Sequence, residues 1–165
     1  MSNPVIRLTP LEPRHLAQCL AIWNEIVDEG ISFPCIEPFT KEQLLCKFKA
    51  GEPVLCAVDA QNTVLGLCHI PPNNEGRCAH IANCGYMVSS SVRGQGVGRL
   101  LVRGSLDVAR EMGFMGVQFN AVVSTNAAAI ALYQSEGFKI IGTVPRGFLQ
   151  KDGHYVDMHI MYREL

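Results

Sequence analysis

The sequence predicts a mixed α/β fold of element order βααβββαβαββ, with a mixed, mostly antiparallel sheet covered by helices. Three observations predict it. The 165 residues are 48% apolar and 18% charged, enough for one buried core and too few residues for two ordinary domains, so residues 1–165 read as a single domain. Strand-like alternation and helical spacing of apolar residues exchange repeatedly along the chain, with no internal repeat or linker. One of these exchanges, over residues 84–112, passes from strand to helix through a glycine-rich turn.

Residues 5–8 are β-prone, and Pro10 and Pro13 forbid their extension, so a first strand ends there in a turn. From Pro13 onward, Leu16, Cys19, Leu20, Trp23, Ile26 and Val27 recur at helical spacing until Gly30 stops the pattern. Residues 31–39 carry two prolines among apolar groups, which predicts an ordered loop suited to flooring a pocket. Thr40-Lys41-Glu42-Gln43 fits a capping box, and Leu44, Leu45 and Phe48 give a short apolar face up to Gly51. Residues 54–58 and 64–69 flank a polar turn at 59–63, hence a hairpin. After a loop at 71–77, residues 79–88 read as a third hairpin strand, antiparallel to the two before it. Val97, Leu101, Gly104, Ser105, Val108 and Met112 mark a helix closed by Gly113. A strand at 116–123, a helix at 126–136 ended by Gly137, and strands at 138–143 and 154–162 complete the order.

Lys+Arg 14 against Asp+Glu 15 leaves a formal charge of -1, which provides no overall field for nucleic acid or an anionic membrane. Any anion must be met locally. The seven cysteines are an odd number set mostly in apolar runs, which predicts reduced, buried thiols and a cytoplasmic protein. The first residues, Met1-Ser2-Asn3-Pro4, lack a basic region followed by an apolar stretch, and no run approaches the ~18 apolar residues of a spanning helix, so secretion and membrane insertion are disfavoured. Cys78, His80 and Cys84 share strand parity, but six residues at ~3.3 Å each put the two thiols about 20 Å apart, too far for one metal ion. No metal site is therefore expected. A nucleophilic Cys84 is conceivable, but buried structural thiols fit the pattern better.

The turn Val92-Arg93-Gly94-Gln95-Gly96-Val97-Gly98-Arg99 is the informative segment. Glycines at 94, 96 and 98 leave successive backbone N–H groups unobstructed, and the next helix adds its positive N-terminal end, so together they suit a pyrophosphate. Arg93 and Arg99 flank the turn and offer charge-assisted contacts to the same phosphates. A dinucleotide fingerprint counted from Gly94 requires glycine where Arg99 stands, and a Walker loop requires Lys-Ser/Thr where Arg99-Leu100 follow Gly98. Both nucleotide readings fail; a ligand-free glycine turn stays open.

Arg93-x-x-Gly96-x-Gly98 between a strand and a helix resembles the acetyl-CoA signature of the GCN5-related N-acetyltransferase superfamily. Asn126, Tyr133 and Gly137-Phe138 resemble its second signature, and the element order agrees over nearly the whole chain. The resemblance implies acetyl-CoA as acyl donor, seated on residues 93–99 with Gln95 and Val97 among them. It implies a strand that splays from the next parallel strand and offers backbone groups at Met87 and Val88 to the pantetheine arm and the thioester carbonyl. Tyr133 maps onto the general acid for the departing thiolate, and Asn126 onto a cofactor contact. The bare residues allow duller roles, a core aromatic for Tyr133 and a helix cap for Asn126.

No carboxylate base stands in residues 81–86, whereas Asn83 and, on the next parallel strand, Asn120 interrupt apolar strands. Buried amides require hydrogen bonds, so the two either share a polar site that holds substrate while water takes the proton, or satisfy backbone groups disturbed by the splay. The spacing of Asn83, Asn120 and Asn126 is similar to that of acetyltransferases acting on azetidine-2-carboxylate, and the chain also resembles the phosphinothricin type. The resemblance further implies acceptor contacts from the helix–loop junction, Glu29 and Phe33 foremost; Arg77 and Arg146 are, by their charge, the candidate partners for a substrate carboxylate. The expected function is acetyl-CoA-dependent N-acetylation of a small amine by direct attack in a ternary complex. A peptide amine as acceptor and a non-catalytic acyl-CoA sensor are the alternatives. Family members often dimerise, and residues 31–39 or the last strands are the surfaces available for a homodimer.

Overall fold

The computed structural model describes residues 5–165, so the reading of residues 1–4 lies outside the described residues. Two four-stranded sheets form the frame. β1 (Arg7–Pro10), β2 (Val54–Val58), β3 (Val64–His69) and β5 (Gly85–Val88) make an antiparallel sheet in the order β1-β2-β3-β5. β4 (Ile81–Ala82), β6 (Gly116–Val123), β7 (Lys139–Leu149) and β8 (Tyr155–Glu164) make the other, ordered β4-β6-β8-β7, with β4 and β6 parallel.

The first sheet is buried on both faces, which is why β2 reads as a continuous apolar run with all five residues buried. Helices α1 (Leu16–Glu29) and α2 (Lys41–Lys47) cover one face, where Trp23, Ile26 and Leu44 meet Leu67 and Met87. Helix α3 (Val97–Glu111) covers the other, where Leu101 and Val102 meet Cys68, Ile70 and Phe119. Each such fully buried aliphatic side chain contributes about 1.5–3 kcal/mol. Helix α4 (Ala127–Ser135) follows β6.

Local signals set most boundaries. Gly30 ends α1 in the left-handed conformation at φ 63. Thr40 Oγ1 accepts from Gln43 N–H while Gln43 Oε1 accepts from Thr40 N–H, the expected capping box. Its helix ends at Lys47, short of Gly51. Asn126 caps α4 through Ala129 N–H.

Three expectations are corrected. The first strand runs on through Pro10, because β1 lies at a sheet edge where a missing N–H disturbs no partner. The strand expected at 138–143 continues to Leu149 through Pro145, Arg146 and Gly147 as an edge strand whose pairing is interrupted between Val144 and Phe148. The stretch 79–88 is two strands in two sheets, not one hairpin strand. β5 pairs with β3, whereas Ile81 and Ala82 pair with Gly116 and Val117 of β6. Beyond His69 the chain enters Pro71 and Pro72, which carry no amide donor, so the pairing opposite 81–84 is thinned. Asn83 N–H still donates to Pro71 C=O at 2.8 Å and Asn73 N–H to Ile81 C=O at 2.7 Å around the Pro72–Ala82 bridge, while β4 turns its other edge to β6, and the sheets part at Asn83 and Cys84. No helix among the described residues is long and apolar enough to cross a membrane.

Candidate active site

The parting of the sheets opens a cleft of about 1150 Å³ that runs from the glycine turn, between β5 and β6, to the loop after α1. Its donor end is the start of α3. Gly94 and Gly96 have φ 77 and 86, and a Cβ on either would project into open space. The first intrahelical bond of α3 is Leu100 N–H to Gly96 C=O, so the amides of Val97, Gly98 and Arg99 have no partner within the helix. Open space over unpaired amides at the N-terminus of a helix of 15 residues fits a pyrophosphate. Gln95 departs from its expected place: its N–H is spent on Val92 C=O and it is not among the cleft residues.

The flanking arginines reach the cleft already paired. Arg93 Nη2 donates to both carboxylate oxygens of Glu29, at 2.7 and 2.9 Å. Glu29 thus binds the donor turn to the end of α1. One turn earlier on that helix, Glu25 accepts from Ser90 N–H at 3.1 Å. Arg99 pairs with Glu136, which also accepts from Arg103 at 3.1 Å. Hydrogen bonds from Arg103 and then Arg99 hold the Glu136 carboxyl below the usual carboxylate range.

Register decides which backbone groups face the gap. Ser89 N–H donates to Leu65 C=O, and Leu67 stands opposite Met87 two residues on, so the Met87 backbone is directed at β3. The backbone groups of Tyr86 and Val88 therefore face the cleft, while the Met87 side chain lines it from the α1 side. Under the gap lie aromatic rings: Phe119 is 4.6 Å from Tyr133 and 5.7 Å from Tyr86. Burial pushes the Tyr133 hydroxyl above its ordinary value, so it stays protonated at neutral pH. Tyr86 donates to or accepts from Ser105 at 2.7 Å. Asn126 and Tyr133 both line the cleft, as their helical spacing implies.

The acceptor end is built by residues 31–34, with Asn83 and Asn120. Phe33 packs on Trp23 at 5.4 Å, and Asn24 clamps the far end of the loop by two hydrogen bonds to the Phe39 backbone. Asn120 is exposed, with its amide bonded to Gln118 and Asn73 rather than to Asn83, so the two asparagines share the cleft but no hydrogen bond. Arg77 and Arg146 do not line it; Arg146 lies over the Tyr155 ring at 5.3 Å. Cys84 is buried beside Cys68, Tyr86 and Ser105, a packing position without a paired histidine, and Cys78 lies in a short 3-10 turn (Gly76–Cys78) rather than on a strand. No metal-binding cluster occurs among the described residues.

Among the lining residues that sequence reasoning missed are Tyr86, Lys47, His69 and Gln150. His69 is 6% exposed, and its Nε2 lies 2.8 Å from Glu52 Oε2. The available signal was parity: His69 falls on the same strand face as Leu67, where a polar residue needs a reason.

Two sheets that part beside a glycine-rich helix start define an α/β fold with an anion-binding cleft. The chain belongs to the acetyltransferase (GNAT) family, whose model matches residues 20–138. It is 38% identical over 112 residues to the N-acetyltransferase aca1 of Schizosaccharomyces pombe, an overlap of 67% of this chain and 54% of that protein. The chain thus spans about half the length of this curated relative. It is 39% identical to a GCN5-related N-acetyltransferase from Kribbella flavida, with a TM-score of 0.91 and coverage of 97% and 98% of the two chains. A phosphinothricin acetyltransferase from Sinorhizobium meliloti, solved with acetyl-CoA, shares the fold at a TM-score of 0.91 with 20% identity, covering 97% and 88%.

Proposed function

We propose that this chain transfers the acetyl group of acetyl-CoA directly to the amine of a small amino acid or analogue in a ternary complex. The observation that carries the reading is one continuous cleft joining unpaired amides at the start of α3 to a polar end at Asn83. The amides of Gly94, Gly96, Val97, Gly98 and Arg99 hold the pyrophosphate, with Arg93 and Arg99 beside it. Backbone groups of Val88 and Tyr86 take the pantetheine arm and polarise the thioester carbonyl. Tyr133, protonated at neutral pH and kept so by burial, supplies the proton that the departing thiolate requires. Phe33, Asn83 and Asn120 border the acceptor, and Lys47 supports a carboxylate-bearing one, the cation that Arg77 and Arg146 do not supply.

One domain over residues 1–165 and a cytoplasmic location accord with this reading, the latter through seven free cysteines. A homodimer would use the exposed Ile141, Leu149 and Tyr155 of β7 and β8, which sedimentation tests. The functional test is free-thiol release from acetyl-CoA over a panel of amino acids, proline analogues and short peptides. Release with small amines is expected. Release with peptides alone refutes the small-acceptor reading, and saturable binding without release from any amine refutes the catalytic one.

A further inference from the structure

We propose that His69 is the general base of the transfer, held in its working tautomer by Glu52. This rests on the acetyltransferase reading and names a residue that family membership does not assign. His69 ends β3 opposite Gly85, on the strand face that carries Leu67 and Met87. Phe33 packs over Gly85, which has no side chain, so the imidazole, the Phe33 ring and the start of β5 border one end of the cleft. Phe48 packs against the imidazole at 5.1 Å, tilted by 57°.

Glu52 Oε2 is 2.8 Å from Nε2, and the Glu52 side chain is 16% exposed, so the carboxylate is partly shielded from water. A carboxylate accepts only, which puts the imidazole hydrogen on Nε2 and leaves Nδ1 with a lone pair. The charged groups around the ring are Glu52 from the segment entering β2 and Lys47 and Lys49 from α2 and its exit; β5 presents only Gly85. Burial, with the two lysines, lowers the His69 basicity against the opposing pull of Glu52. The ring is therefore neutral at pH 7 and able to accept.

The step balances with this chain's own groups. The lone pair of a neutral amine forms the N–C bond to the acyl carbon, and His69 Nδ1 takes the proton from the resulting cationic nitrogen, directly or through one water. The C–S bond breaks with its pair on sulfur, which takes the Tyr133 proton. His69 then releases its proton to solvent and Tyr133 regains one. The net products are the amide and the thiol.

The test uses the whole chain with acetyl-CoA, with azetidine-2-carboxylate and phosphinothricin as amine probes. His69→Gln should keep acetyl-CoA affinity and lower kcat/KM for the amine by about 10²–10³-fold. In the wild type, log kcat/KM against pH should steepen from slope one to slope two below the His69 pKa, because amine and base must both be deprotonated. His69→Gln should remove the second unit. Glu52→Gln should move the break to lower pH, since the carboxylate that raises the His69 pKa is gone, and it carries the test alone if His69→Gln fails to fold. Amine-independent hydrolysis of acetyl-CoA is followed in the same variants. If neither probe is acetylated, the acceptor class fails and hydrolysis decides on His69, with its acid limb present in the wild type and absent in His69→Gln. A His69→Gln rate within threefold of wild type with an unchanged profile, or an unmoved break in Glu52→Gln, overturns the proposal.

Discussion

Gly96→Val separates the donor cradle from the fold that carries it. Gly96 caps α3 at φ 86, a conformation that a β-branched residue adopts only under strain of about 1–3 kcal/mol. Gly113, just past the other end of α3, has nearly the same φ of 83, and a Cβ on either residue meets nothing within 4 Å. Gly113→Val is thus a strain-matched control. Both variants should lose similar stability, read as a fall in Tm of about 2–4 °C for each kcal/mol. They should differ in acetyl-CoA affinity, because Gly96 lines the cleft beside Val97, Gly98 and Arg99 and Gly113 does not. Displacing the pyrophosphate from one good charge-assisted hydrogen bond is worth about 1.5–3 kcal/mol, so Kd measured by calorimetry should rise at least tenfold in Gly96→Val and stay within twofold in Gly113→Val. Equal affinities in the two variants would refute the cradle.

Tyr133→Phe keeps the ring packed on Phe119 and removes only the hydroxyl, so it should lower kcat by about 10²-fold or more while the Kd for acetyl-CoA is nearly unchanged; stopped-flow thiol release checks it. Phe33→Ala removes the ring over Gly85 and should raise KM for the amine more than KM for acetyl-CoA, read from two-substrate kinetics. Glu136→Gln leaves the half-exposed Arg99 and Arg103 without their carboxylate and should cost about 0.5–1 kcal/mol at pH 7 by urea unfolding. The Glu136 pKa is depressed in the fold, so its contribution is present above the unfolded value and lost as pH falls through the lower folded one. The difference between Glu136→Gln and wild type should accordingly vanish in strong acid.

Residues that act locally were legible. The Thr40–Gln43 box, Gly30, the Asn126 cap and the bounds of β2, β3 and β6 all follow from neighbours within a few positions. The turn at 93–98 was readable because positive φ at Gly94 and Gly96 is a property of glycine itself. Edge strands were less so, since whether Pro10 or Pro145 is tolerated depends on having no neighbour on one side.

The sequence by itself determined the element order outside residues 79–88 and the donor turn, because periodicity, capping and glycine conformation are short-range, and its two signatures carried the family resemblance. Tertiary structure alone decided that residues 79–88 divide between two sheets, that Glu29 meets Arg93, and that His69 meets Glu52 at the cleft. Those pairings join segments 64 and 17 residues apart, and they exist only once sheet register and helix packing have brought distant side chains to one wall.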